Sequence, residues 1–541
     1  MSVLRPVAAR AVVAVATVAV LALSSCSSVG GEGSGSGKDD VGSAAEDVKE
    51  GGTLVVALAG EPDFLDPTVA RTLLSRYIFN AICEKLYDVD KDAHVVPQLA
   101  ADMPETSDDG TTVTIPLREG VKFADGTAFD SAAVKKSLER HFTKPDSGRT
   151  SEMGPIAGIE TPDDMTVEIQ LERPFTPLTA ALSDRAGMVM SPKQLDAKGD
   201  DFSSEPVCVG PFKLEKRVPQ SSVELVPDPN YYDKDKVHLD RIVYRIITDA
   251  NIRAANLESG DVQVADALST DSVPDLSSSE AVKVLQSDSL GYQGITFNVG
   301  NVKGVGEPPG RINKPWATSE KVRQAFSAAV DRKALVETTF NDLFAPACSA
   351  VAPQSEYTSD LAQTCLDADP AEAKRLLQEA GVKTPVQMEL LITNTPVSLR
   401  FGQALQAQVK EGGFELKLVP AEFTSLLDLQ DQGKYEAVQI GWSGRVDPDA
   451  NLTNFVGTGG SQNVAGYSNP ELDAVLDEVR GEGDKAKRAE LYGQVTEIIN
   501  QDAPLVYLYR QRNLTGVSSD LEGVQVYPDG LLRVAFAGFK K

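Results

Sequence analysis

The sequence predicts an α/β protein of two or three lobes, and two observations carry that prediction. Strand and helix patterns alternate through the second half of the 541-residue chain, which implies parallel pairing in an open sheet. Once an N-terminal signal and linker are set aside, roughly 490 residues remain, more than one hydrophobic core usually organises.

In chain order, Arg5 and Arg10 form a positive head, Ala11 to Ala22 is an unbroken run of Ala, Val, Leu and Thr, and Leu23-Ser24-Ser25-Cys26 follows. The apolar run falls short of the roughly 20 residues a bilayer demands, so 1–25 reads as a secretory signal. Its end resembles a bacterial lipobox. That resemblance implies cleavage after Ser25, a diacylglycerol on the Cys26 sulfur and an extracytoplasmic protein anchored to the cell membrane. Residues 27–37 are almost all Gly and Ser and 39–50 are polar and acidic, so 26–50 is expected to be a flexible tether.

Residues 53–58 (TLVVAL) read as a strand and 71–86 as a helix. The alternating 112–117 reads as a strand, and Asp130 caps a helix carrying Val134, Leu138 and Phe142. A strand at 241–247 precedes a helix that stops at Gly260. Val322, Phe326, Ala329 and Val330 predict one helix over 322–340, and Asp369-Pro370 opens another, with Glu372 in capping-box position and Gly381 closing it. Strand 387–392, helix 397–411, strand 414–419, helix 423–430 and strand 436–441 then alternate. Asn469-Pro470 starts a helix ending near Arg480-Gly481, and 504–509 is a last strand.

Net charge −27 argues against nucleic acid and anionic lipid surfaces as partners. Outside the cytosol the even set Cys83, Cys208, Cys348 and Cys365 suggests two disulfides. Of the three possible pairings, Cys83–Cys208 with Cys348–Cys365 is favoured, the second pair being close in sequence. There is no CxxC, and His94, His141 and His238 stand singly, so no metal site and no cofactor are expected.

In open α/β sheets ligands bind beyond the carboxyl ends of the strands. Two loops qualify, Thr393-Asn394-Thr395-Pro396 and Gly441-Trp442-Ser443-Gly444-Arg445-Val446-Asp447. Both leave strands of one predicted sheet and are expected to converge on one crevice.

Leu117 to Phe142 (LREGVKFADGTAFDSAAVKKSLERHF) closely resembles the signature of the extracellular solute-binding proteins, family 5, which feed dipeptide, oligopeptide and nickel ABC importers. Leu65-Asp66-Pro67, Pro97-Gln98-Leu99-Ala100, Val209-Gly210-Pro211-Phe212, Asn230-Tyr231-Tyr232, Val330-Asp331-Arg332 and Tyr467-Ser468-Asn469-Pro470 extend the match from about Gly51 to the C-terminus. The resemblance implies a periplasmic-binding-protein-like type II fold, two hinged lobes with an extra inserted domain. Lobe one is expected at 51–94, 207–297 and 514–541, the insert at 95–206 and lobe two at 298–513. It also supports the Cys83–Cys208 pairing. Implied partners are a peptide or small-molecule ligand and ABC permease subunits in the membrane; the chain is expected to act as a monomer, without catalysis.

Trp442, one of two tryptophans, stands just after a strand and is expected to contact ligand. In peptide-binding relatives the corresponding loop resembles Gly-Trp-x-x-Asp, whose aspartate pairs with the peptide's ammonium group. Here that position is Arg445, which would repel an ammonium. Either the anchor has moved, to Asp447 for instance, or the ligand presents an anion that Arg445 grips; structurally, Arg445 folded back on Asp447 or Asp449 is the alternative. Gly444, Asn394 and Thr395 complete the expected loops, with Phe64 on the facing wall. Trp316, after Pro315, reads as structural. A hydrolase is disfavoured, because Gly441-Trp442-Ser443-Gly444-Arg445 misses the last glycine of a nucleophile elbow and no histidine follows His238. A peptide-sensing lipoprotein without a transport role would need the same crevice.

Overall fold

The protein, seen here as a computed structural model, is described over residues 39–541. The signal 1–25, Cys26 and the linker up to residue 38 lie outside the described residues.

Two mixed sheets form the two lobes. At the centre of the first, a seven-stranded sheet, Thr53–Leu58 runs parallel to Arg241–Ile246 on one side and to Val264–Ala265 on the other. In the second, a six-stranded sheet, Val386–Thr393 runs parallel to Phe414–Ala421 and Ala437–Trp442. Helices Pro396–Glu411 and Phe423–Asp431 make the crossovers between these three strands, as the alternating pattern predicts. The remaining pairings in both sheets are antiparallel, so the sheets are not parallel throughout. A four-stranded antiparallel sheet, Glu105–Thr106, Thr112–Pro116, Thr166–Leu171 and Ile156–Asp163, forms a third unit with its own core of Ile115, Phe123, Leu138 and Ile169. It lies between two strands of the first sheet in sequence, hence an insertion.

The chain passes twice between the two large sheets. Val282–Asp288 belongs to the first and Tyr292–Phe297 to the second; Leu505–Arg510 belongs to the second and Arg512–Ser518 to the first. The expected bounds at 297/298 and 513/514 therefore fall a few residues late. Tyr292–Phe297 pairs with Ala437–Trp442 and with Leu505–Arg510, and three residues suffice to cross, so the two crossings form a short hinge.

Two helices differ from their predicted extents. The expected 322–340 helix is two, Glu320–Ala328 and Arg332–Phe340, because the Asp331 carboxylate caps the second by accepting the Ala334 N–H. The first-lobe helix is Leu73–Ile82: Thr72 caps its start, and Cys83 leaves it extended to form the Cys83–Cys208 disulfide. Cys348 and Cys365 form the second bridge. Asp369 caps Pro370–Glu379 as expected, but Glu372 turns to Arg375 instead of closing a capping box.

The polar segment 39–50 is fastened to the first lobe rather than free. Asp39 pairs with Arg512, Asp40 bridges Gln286, and Val48–Lys49 forms a ladder with Gly538–Lys540. Composition suggested a tether because it does not show that these backbone groups find strand partners.

Candidate functional site

A cavity of about 600 Å³ lies between the two sheets, within the roughly 300–1,000 Å³ typical of small-molecule sites. Both lobes reach it through the carboxyl ends of their parallel strands. The first lobe supplies Ala59, Asp249 and Ala267, and the second supplies Thr393, Thr395 and the run Ile440 to Ser443. Three helix N-termini open on it too. Thr72, Asp249 and Thr395 all line the wall, and each caps its helix with a side-chain oxygen.

The wall has three chemical zones. Phe340, Phe344, Phe401 and Tyr509 form one aromatic cluster, with ring centroids 4.6–6.2 Å apart. Trp442 and Phe455 form another at 5.0 Å. Between them runs an amide relay in which Gln439 Nε2 donates to Gln293 Oε1 (3.0 Å) and Gln293 Nε2 donates to Gln511 Oε1 (2.9 Å). Stacking faces flanking amide donors and acceptors suit an organic solute of mixed polarity.

Two ion pairs bridge the lobes where wall meets solvent: Arg71 with Asp431 at 2.5 Å and Arg400 with Asp271 at 2.6 Å. The inserted unit also reaches the second lobe, through Arg173–Asp477 and a hydrogen bond from the Thr176 N–H to the Arg480 carbonyl. Both ends of the clamp are thus held together by exposed or half-buried polar contacts, individually worth about 0–1 kcal/mol where exposed.

The sequence-expected residues divide. Trp442 lies on the cavity wall, buried, its Nε1 donating to Asn451 Oδ1 at 3.1 Å. Thr395 is on the wall as a helix cap. Asn394 points its backbone N–H at the Ala421 carbonyl and is off the wall. Phe64 is half exposed and also off it; the facing wall is made by the strand ends of the first lobe instead. Gly444, at φ +83°, packs on Leu290 and Gly291 beside the hinge. Trp316 is buried in the core beneath the second sheet.

Arg445 and Asp447 are buried behind the wall, not on it. Arg445 Nε meets Asp184 Oδ2 at 2.5 Å, Nη1 donates to the Gly444 carbonyl at 2.7 Å, and the guanidinium lies 4.3 Å from the Trp442 ring centroid. It therefore folds neither into the cavity nor onto Asp447 or Asp449, but across to the inserted unit. Burial and the neighbouring Arg76 pull Arg445 down to about 10, which leaves it charged at neutral pH. Asp447 accepts from Arg488 and the Tyr492 hydroxyl, each at 3.0 Å, and burial raises its pKa. Asp449 is occupied by Arg480. One side-chain group with metal-ligand chemistry does come together, Asp90, Asp92 and His94 in an exposed hairpin turn, where Asp90 is engaged by the N–H groups of Asp92 and His94.

Sequence reasoning missed the first-lobe wall and the amide relay. Thr72 and Asp249 carried a usable signal, being cap residues directly before helices; Gln293, Gln439 and Gln511 carried none, since amides on strands and at crossings are unremarkable in sequence.

Two lobes joined by a two-segment hinge, with a partly aromatic cavity between their strand ends, define a solute-binding clamp of the type II periplasmic class. Residues 94–463 match the model of the bacterial extracellular solute-binding proteins, family 5, and the chain belongs to that family. It is accordingly an extracytoplasmic binding component of the ABC-importer class rather than an enzyme. The glutathione-binding protein GsiB of Salmonella paratyphi A is 30% identical over 491 residues, covering 88% of this chain and 92% of that protein. Among solved structures, the periplasmic binding protein AgaA of A. tumefaciens in complex with agropinic acid is 27% identical, with a TM-score of 0.81, over 91% of this chain and 99% of that one. A dipeptide-binding protein of a Pseudoalteromonas species, in complex with Met-Leu, is 23% identical with a TM-score of 0.81 over 90% of this chain and 100% of that one; it shows the shared fold. Among the described residues no helix is long and apolar enough to cross a membrane.

Proposed function

We propose that this chain, lipid-anchored through Cys26, captures a peptide or related small organic solute in the cavity between its lobes and delivers it to a membrane permease of an ABC importer. The observation that carries this reading is the cavity itself, walled by strand ends and helix caps of both lobes, with stacking faces beside amide groups. A solute touching both walls favours the closed clamp by its extra contacts. The glutathione-binding relatives lend support on the ligand side. Lobe bounds that follow the sheets, with hinge segments at 289–291 and 511, complete the proposed domain scheme.

Mass spectrometry of the solute released from purified protein, followed by calorimetry with that compound and a peptide panel, tests the ligand. Deleting the gene and measuring uptake of the bound compound tests transport: reduced uptake is expected, whereas unchanged uptake favours a sensing role. Cys26→Ala is expected to release the protein from the membrane fraction.

A further inference from the structure

Ser443 stands at the Trp442 end of the cavity, and its hydroxyl is engaged from behind. Arg76 Nη1, from the first lobe, donates to Ser443 Oγ at 3.4 Å, and Arg445 Nη1 donates to it at 3.3 Å. A hydroxyl has two acceptor positions and one proton to give. With both acceptor positions used by guanidinium groups, the proton is left to donate, and among the described residues no acceptor takes it. Ser443 lines the cavity.

The ground behind Ser443 is cationic. Asp184 is shared by Arg76 at 2.9 Å, Arg445 at 2.5 Å and Arg185 at 3.7 Å, while Arg149 takes Glu152 at 2.7 Å. Four buried guanidinium groups thus meet two carboxylates. Asp529, Asp447 and Asp449 nearby are already matched by Arg533, Arg488 and Arg480. Arg149 Nε, Arg185 Nε, Arg185 Nη2 and Arg445 Nη2 are buried without an acceptor. Uncompensated buried positive charge is costly, and an anion nearby relieves it. A serine polarised by two cations passes that field into the cavity through one oriented O–H.

We propose that Ser443 is a specificity-determining contact that donates its hydroxyl hydrogen to a carboxylate of the solute, so that the preferred ligands are acids. This rests on the cavity being the solute site, and it narrows the proposed solute class to molecules bearing a carboxylate toward Trp442. Arg76 and Arg445 act through Ser443 as positioning residues. A charge-assisted hydrogen bond of this kind corresponds to about a 10-fold affinity difference or more.

The test is calorimetry on purified protein with matched pairs: glutathione and its diethyl ester, Met-Leu and its C-terminal amide, and agropinic acid alone. The acids are expected to bind at least about 10-fold more tightly than their carboxyl-blocked partners. Ser443→Ala should erase most of that ratio by weakening the acid far more than its carboxyl-blocked partner; Ser443→Thr, which keeps the hydroxyl, should restore it. Carboxyl-blocked members binding as well as the acids, or a ratio unchanged in Ser443→Ala, would overturn the inference while leaving the peptide reading intact. Binding of agropinic acid alone, lost in Ser443→Ala, would uphold the inference and overturn the peptide reading. No binding by any acid would overturn both.

Discussion

Trp442, Ser443, Gly444 and Arg445 are neighbours in one loop, yet each faces a different environment. Trp442 and Ser443 face the cavity, Gly444 packs on the hinge and Arg445 crosses to Asp184. The sequence made the loop legible, since a strand end followed by Gly and Trp marks a crevice. It did not reveal which way Arg445 turns, because Asp184 is 261 positions away and the pairing exists only in the fold. Buried Asp184 is held well below the ordinary carboxylate range: burial works against its charge, but Arg445, Arg76 and Arg185 outweigh it. Arg445→Met would leave Asp184 with two cationic partners, Arg76 and Arg185, and would remove one of four crowded buried guanidinium groups, so its cost in urea unfolding is expected to stay below the ~3–5 kcal/mol of a buried charge left unpaired. Because Trp316 is core and Trp442 is wall, solute binding should change intrinsic fluorescence in the parent protein. Trp442→Phe should abolish most of that change while calorimetry still registers binding.

At the scale of elements, the central strands and their crossover helices followed from hydrophobic periodicity and caps, and they came within a residue or two of their observed ends. Val386–Thr393 and Phe414–Ala421 illustrate why, since buried alternation and flanking Thr-Pro and Gly-Gly signals agree. What local pattern does not encode is pairing between distant segments: the antiparallel outer strands, the hinge crossings and the docking of 39–50. Gly444 shows how tightly the hinge is built. A Cβ there would lie 2.3 Å from the Leu290 carbonyl carbon, in a left-handed conformation. Gly444→Ala should therefore destabilise the protein by about 1–3 kcal/mol in thermal unfolding and weaken solute binding, as the turn that places Trp442 shifts. Two buried groups just off the first-lobe helix and on the inserted unit's helix oppose each other with pH. Burial raises Glu84, which accepts from the Tyr231 and Tyr232 hydroxyls, from 4.5 to about 7. Its folded state holds the proton more tightly than the unfolded chain, so its contribution is present below pH 4.5 and is lost as pH rises through 7. Burial lowers His141, which bridges Thr68 and the Met188 carbonyl, from 6.5 to about 4. That contribution is present above pH 6.5 and is lost as pH falls through 4. Each is on the order of 3 kcal/mol, so they largely cancel between 4.5 and 6.5. Glu84→Gln should unmask a Tm that rises with pH from 4 to 6.5.

The whole molecule is a clamp whose halves meet at a hinge of two short segments, with a cavity between the strand ends and polar contacts at the far rim. Arg71–Asp431 and Arg400–Asp271 form only when the lobes meet, whereas the hinge and both disulfides persist through any opening. Asp431→Asn should thus shift the population toward the open clamp, raising the radius of gyration measured by X-ray scattering without solute and weakening solute affinity up to about 5-fold. The two-lobed plan was legible because chain length, strand–helix alternation and the family signature at 117–142 agree. The chemistry of the wall was only half legible, since the amide relay and first-lobe caps come from five separate stretches of sequence. The most direct measurement is a calorimetric titration of the purified protein and its Trp442→Ala variant with the solute identified by mass spectrometry. One site per chain, with affinity at least about 10-fold weaker in the variant, is what a cavity walled by that ring requires. Equal affinity in the two proteins would place the solute elsewhere and contradict the account.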